Sequence, residues 1–178
     1  MMNFLPTYKQ QQGVTLAVTL VFLFVLLVVG GSAVRISLVE EKMSGNQRDK
    51  HIAFEAAESA LVSGEDWLDS LVEYRTPTAQ GADSIWALGT PGTDKWWRTN
   101  NVTWWAGNTV GIDGNSLQHA PPRYIVEERA FVQKGENLII GAGETKQGKY
   151  YYQLTSRGYG GGGNTRVHLR STFIKRFD

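Results

Sequence analysis

Apolar residues crowd the first part of the chain and then thin into periodic patterns. From Gln10 to Val34 there is no charged residue, and Val14–Val34 (VTLAVTLVFLFVLLVVGGSAV) is almost wholly apolar. At about 1.5 Å per residue, these 21 residues make roughly 32 Å of helix, enough to cross a bilayer core of about 30 Å. The 144 residues that follow are too polar to wrap such a helix on every side, so a membrane is its expected surrounding. Beyond Val34 the pattern turns charged and helical. Ile36, Val39, Met43, Phe54, Ala57 and Leu61 recur at steps of three and four and share one face, with Gln47 and Lys50 between them. The spacing predicts one helix from Val14 to about Ser63. A weak joint is expected at Gly45-Asn46, because glycine costs about 1 kcal/mol relative to alanine inside a helix. Gly64 is expected to end the helix, and Glu65-Asp66-Trp67-Leu68 to begin a further turn or two before Pro77.

From Thr76 to Pro122 periodicity is lost. The segment holds four of the five prolines together with Trp86, Trp96, Trp97, Trp104 and Trp105. Disordered segments are poor in tryptophan. The indoles are therefore expected to pin an irregular connection onto the fold, each burying on the order of 150–250 Å²; a partner-binding surface is the alternative. In the last third, Arg123–Gln133, Tyr150–Ser156 and Thr165–Phe173 are β-branched and aromatic with partial alternation, which predicts antiparallel strands. Gly141-Ala142-Gly143, Gly158 and Gly160 to Gly163 punctuate them. The four consecutive glycines are expected to form a flexible hairpin loop. No helix follows them, so they do not read as a phosphate cradle.

Composition narrows the chemistry. A net charge of +1 over 178 residues gives no electrostatic reason for nucleic acid as a partner. With no cysteine there is no disulfide, thiolate metal site or cysteine nucleophile. His51, His119 and His168 lie on different predicted elements without ligand spacing, and no HExxH or GxSxG pattern occurs. Asp113-Gly114-Asn115 offers two side-chain oxygens against the six to eight ligands that calcium takes, so a turn is the better reading. Neither a cofactor nor a metal is expected, and the chain does not read as an enzyme.

Two stretches carry a family resemblance. The junction Lys9-Gln10-Gln11-Gln12-Gly13, followed at once by Val14-Thr15-Leu16, resembles a prepilin cleavage site. The block Val39-Glu40-Glu41-Lys42-Met43-Ser44-Gly45-Asn46-Gln47-Arg48-Asp49, followed by Ala53-Phe54-Glu55-Ala56-Ala57-Glu58-Ser59-Ala60-Leu61, resembles the N-terminal signature of the PilX family of minor type IV pilins. Tyr152 to Gly158 and the ending Phe173-Ile174-Lys175-Arg176 are similar to C-terminal strands of that family. The resemblance implies an α+β, pilin-like fold: a long N-terminal helix, its first part transmembrane, packed on a small antiparallel β-sheet head. It implies a leader over 1–13, a transmembrane half of the helix over 14–34 and an amphipathic half over 35–75. An irregular Trp-rich loop over 76–122 and the sheet over 123–178 follow. It also implies that prepilin peptidase cuts between Gly13 and Val14, that Val14 is then N-methylated, and that the apolar segment is kept. Glu40, Glu41, Met43, Gly45, Asn46, Arg48, Phe54 and Glu58 are the signature positions on the helix.

Charge placement pulls against this resemblance. Lys9 precedes the span while Arg35, Lys42, Arg48 and Lys50 follow it, which taken alone argues for a cytoplasmic head. The family implies a periplasmic head on a single-pass inner-membrane anchor, and a place at the pilus tip after assembly. In most pilins the fifth mature residue is a glutamate that pairs with a neighbour's N-terminal amine. Counted from Val14, that residue here is Val18. A lone carboxylate at the bilayer centre costs on the order of 2.5–3.5 kcal/mol on insertion scales, so the glutamate rewards a subunit for finding an amine. This chain offers an amine and no carboxylate, which suits the first subunit laid down. The expected role is to prime type IV pilus assembly in a tip complex with other minor pilins and the major pilin, supporting twitching motility and adhesion, with a tip adhesin as a further partner. The rivals are a minor pseudopilin, of the K kind, from a type II secretion system, and a membrane-anchored periplasmic domain of other function.

Overall fold

The computed structural model describes residues 13–80, 85–92, 94–133 and 148–177. Most of the expected leader, residues 1–12, and the Gly141-Ala142-Gly143 stretch lie outside the described residues. The chain divides into two compact units, Met1–Asn46 and Gln47–Asp178. In order the elements are helix α1 (Val14–Ser70), strand β1 (Ile85–Ala87), helices α2 (Trp96–Thr99) and α3 (Val102–Asn108), and strand β2 (Val110–Gly111). Strands β3 (Arg123–Gln133), β4 (Gly148–Tyr159) and β5 (Arg166–Phe177) complete the fold. The arrangement is α+β and pilin-like.

The sheet runs β1-β3-β4-β5, with β2 pairing to β3, so β5 forms a free edge among the described residues. Beside β3, strands β2 and β4 run antiparallel, as β5 does beside β4, but β1 lies parallel to β3 with Ile85 opposite Val126. The sheet is therefore mixed, not purely antiparallel as expected. The Trp-rich connection is not wholly irregular either: it lays two short strands, β1 and β2, beside β3 and adds α2 and α3. Strands β4 and β5 are longer than alternation suggested, β5 continuing past Phe173 to Phe177.

Helix α1 also departs from expectation. It does not stop near Ser63, although it is one helix through Gly45 as the spacing predicts. Nor does Gly64 end the helix, which continues through Glu65, Asp66, Trp67 and Leu68 to Ser70. A Cβ on Gly64 would sit 2.8 Å from Leu154 Cδ2 and 2.9 Å from a ring carbon of Tyr124, so the glycine permits a close approach. The sheet-facing stripe is Ala53, Ala56, Ala57, Ala60, Gly64 and Leu68, all buried. Phe54, expected on the inward face with Ala57, is instead 45% exposed, and Leu61 is half-buried. Small residues, not large ones, mark the packed face of this helix.

Because successive strand residues point to opposite faces, the sheet sorts its side chains into two cores. On one side Tyr124, Val126, Tyr150, Tyr152, Leu154 and Phe177 pack with Ala60, Leu68 and Leu71, joined by Ile85. On the other, Ile125 packs with Trp86, Trp96 and Trp105, flanked by Trp97 and Trp104. Covered on both faces, β4 is buried continuously from Tyr152 to Tyr159, polar residues included.

Candidate functional site

The N-terminal half of α1 exposes its apolar side chains all along its length. From Val14 to Leu38 its large apolar side chains are 50–74% exposed. The few hydroxyls turn inward to the helix's own carbonyls: Thr19 donates to Leu16, Ser32 to Val28 and Ser37 to Ala33. Bonded in this way, those three hydroxyls ask for no water, as suits a helix lying in lipid or against other apolar helices. Among the described residues, α1 is the one helix long and apolar enough to cross a membrane.

Gly13 sits in a turn directly before the first helical residue, Val14, and a Cβ there would meet nothing within 4 Å. Val18 lies one turn along from Val14 and is 53% exposed. The first carboxylate in α1 is that of Glu40, several turns further on. The signature residues Glu40, Glu41, Met43, Gly45, Asn46, Arg48, Phe54 and Glu58 are all exposed on α1. His51 pairs with Glu55 one turn on, at 3.2 Å. No group of acidic and histidine side chains able to hold a metal occurs among the described residues. Asp113 and Asn115 lie in an exposed turn in which Asn115 accepts from the Leu117 N–H.

One site residue escaped the sequence reading. Asp49 reaches from α1 into the glycine loop between β4 and β5, where its carboxylate accepts from the N–H groups of Gly161 at 2.6 Å and Gly162 at 3.2 Å. The hydroxyl of Thr165 also donates to it. The four-glycine loop, expected to be free, is thus an anion cradle filled by the chain's own carboxylate. Its neighbour Gly158 has no room for a side chain: a Cβ would collide with the backbone of Ala53, Ala56 and Ala57. The available signal was the glycine run together with an acid in the helical signature block, but only strand register brings them together.

The Thr165 hydroxyl, followed by the two glycine N–H groups, holds the Asp49 carboxyl below its ordinary value against a smaller upward push from desolvation. A depressed native pKa makes the clamp's contribution fully present above the unfolded value of about 4. It is lost as pH falls through the native pKa. Asp49→Ala is expected to lower the thermal midpoint at neutral pH and to flatten the acid limb of a midpoint-against-pH curve. An acid limb unchanged in the variant would remove Asp49 from this role.

On the opposite face of the sheet, the Asn101 side chain caps α3 by accepting from the Trp104 N–H at 2.8 Å. Arg123 closes its other end, donating through Nη1 to the carbonyls of Ala106 and Thr109, both at 3.0 Å. The two caps seat Trp105, fully buried, beside Trp96 with ring centroids 5.8 Å apart. The indoles act in packing.

A family model described as PilX N-terminal matches residues 12–62, and one described as Type IV pilus assembly protein PilX C-term matches residues 55–175. Together they take in the apolar helix, the signature block, the Trp-rich connection and the sheet. No curated protein and no solved structure matches the chain.

Proposed function

The chain belongs to the PilX family of type IV pilus assembly proteins, and on that premise we propose that it is a minor pilin that primes pilus assembly within a tip-associated complex. The observation that carries this reading is the apolar half of α1, its large apolar side chains exposed and no carboxylate before Glu40. In this account prepilin peptidase removes residues 1–13 after Gly13, and Val14 becomes the methylated N-terminus. The helix waits in the inner membrane with its head in the periplasm, then leaves lipid to pack beside other minor pilins and the major pilin.

Val18 sets the order. An incoming subunit bearing a glutamate at that place gains by pairing it with the Val14 amine. This chain carries no buried charge that needs a predecessor. It can be laid down first, near the tip and below any adhesin. Its contribution is structural and positional, not catalytic, and supports twitching motility and adhesion through the filament. The family's place in pilus assembly favours this reading over a secretion pseudopilin.

Two measurements test it. Mass spectrometry of protein from the membrane is expected to find a chain starting at methylated Val14; an intact Met1 would overturn the processing. Val18→Glu is expected to move the protein from the tip into the shaft, raising its share of sheared pili many-fold. A variant that leaves both its abundance in the filament and piliation unchanged would remove the carboxylate argument.

A further inference from the structure

Strand β5 is an outermost strand of the sheet among the described residues, and its ladder with β4 runs without a bulge from Arg166 to Phe177. Which of its peptide groups face outward follows from one hydrogen bond. The Gly160 N–H donates to the Thr165 carbonyl at 2.9 Å, next to the Tyr159–Arg166 pair that ends the ladder. Hydrogen-bonded and non-bonded pairs alternate along an antiparallel ladder. The odd-numbered residues from Val167 to Phe177 therefore bond back to β4. Arg166, His168, Arg170, Thr172, Ile174 and Arg176 turn their backbone N–H and C=O groups away from it. Those groups have no partner among the described residues.

The side chains along this edge are left half covered. On the helix side Val167, Leu169 and Phe173 are only half-buried, although Phe173 packs against the core. On the Trp side Ile174 is 53% exposed, and Thr172 beside it in that row is exposed too. Natural edges are closed by short strands, bulges, prolines or charges. Strand β5 has 12 residues, no bulge and no proline, so charge is its one guard. That charge has a single sign. Glu127 engages Arg170 and Asp69 engages Lys175. Arg166 and Arg176, at the two ends of the strand, are exposed and meet no acid among the described residues.

We propose that β5 accepts an added strand from a different subunit, an extended segment with acidic side chains on one face and apolar ones on the other. The even-numbered residues of β5 lie on the Trp side, where His168 meets Trp105 and Arg170 meets Trp97. A residue paired opposite one of them points to the same side, so acids opposite Arg166 and Arg176 fall within reach. The alternate residues of the added strand point to the helix side and would cover Val167, Leu169 and Phe173. Main-chain bonds supply the affinity in strand addition, and the alternating side chains supply the choice of partner. The same chain in a second copy has the wrong charge for this place. Docking of this kind requires only the sheet, whatever the order in which subunits enter a filament.

The probe is a capped peptide of alternating glutamate and valine, as long as β5, added to the full chain in detergent micelles. Its twin, N-methylated at alternate residues, keeps the charge but loses the donors, and a lysine–valine peptide reverses the sign. At nine-tenths saturation the acidic peptide is expected to slow amide exchange at Thr172 and Ile174 by about ten-fold, with little change at Ser171 and Phe173, already bonded to β4. The twin and the lysine peptide are expected to leave all four unchanged. Thr172→Pro removes one outward N–H and spares the ladder to β4, since proline is tolerated at such edge positions; it is expected to weaken binding at least several-fold. Arg166→Glu with Arg176→Glu is expected to exchange the preference to the lysine peptide. Wild-type exchange that the acidic peptide leaves unaltered overturns the proposal. So does equal binding of the N-methylated twin, which reduces the effect to surface charge, or an unchanged preference in the doubly substituted chain.

Discussion

Gly158→Ala is expected to loosen the sheet from its helix by about 3 kcal/mol or more, at the upper end of overpacking costs. The expectation runs against propensity, since alanine in place of glycine inside a strand ordinarily stabilises by roughly 0.5–1 kcal/mol. Sterics decide the sign here. The added methyl would strike the Ala53 carbonyl and the Ala57 nitrogen, backbone atoms on the inner stripe of α1 that cannot rotate away. Gly64→Ala makes the contrast. There the methyl meets side-chain atoms and no backbone, the end of Leu154 at 2.8 Å and the near edge of the Tyr124 ring at 2.9 Å. The gain of about 1 kcal/mol in helix propensity offsets much of that strain. Urea unfolding of both variants in micelles checks the pair. A Gly158→Ala midpoint within error of wild type would mean that the helix rides further from the sheet than described.

Trp105→Ala is expected to cost about 3–5 kcal/mol, the range for deleting a large buried aromatic. Trp105 is fully buried and touches Trp96, Trp104, His168 and Arg157. Its removal opens a void and also leaves one side of the Arg157 guanidinium without its aromatic cover. The near-UV circular dichroism of the stacked indoles is expected to collapse, while the far-UV signal of α1 persists. Trp97→Ala is the milder comparison, because Trp97 is half-buried and lies over Arg170 at 3.9 Å. Equal losses from the two substitutions would contradict a layer centred on Trp105.

How much of this was legible beforehand depended on whether the signal was local. The apolar run from Val14 to Val34 announces a helix by length alone, and the three long strands show in Arg123–Gln133 and its successors. Both signals live in neighbouring residues. The misread features depend on register. Gly64 looked like a helix stop because glycine serves both to end helices and to admit a neighbour, and only the position of Leu154 across the seam tells which. Phe54 looked inward because it is large and apolar, yet the stripe that packs is alanine and glycine, which periodicity weighs lightly. The parallel β1 strand comes from three residues, Ile85–Ala87, too short for any alternation to register. The clamp between Asp49 and Gly161 joins positions 112 residues apart. Gly13, Val14 and Val18 take their expected roles from the family resemblance, and α1 begins at Val14.

The last strand of the sheet carries four permanent cations, Arg166, Arg170, Lys175 and Arg176, and no acid within its 12 residues. An open rim of that length would ordinarily invite other chains to add on and extend the sheet without limit. Arg170 and Lys175 are engaged by Glu127 and Asp69, and two copies meeting rim to rim would bring the remaining Arg166 and Arg176 toward like charges before their backbones could bond. Charge on the open rim therefore discourages this head from extending its sheet into that of a second copy.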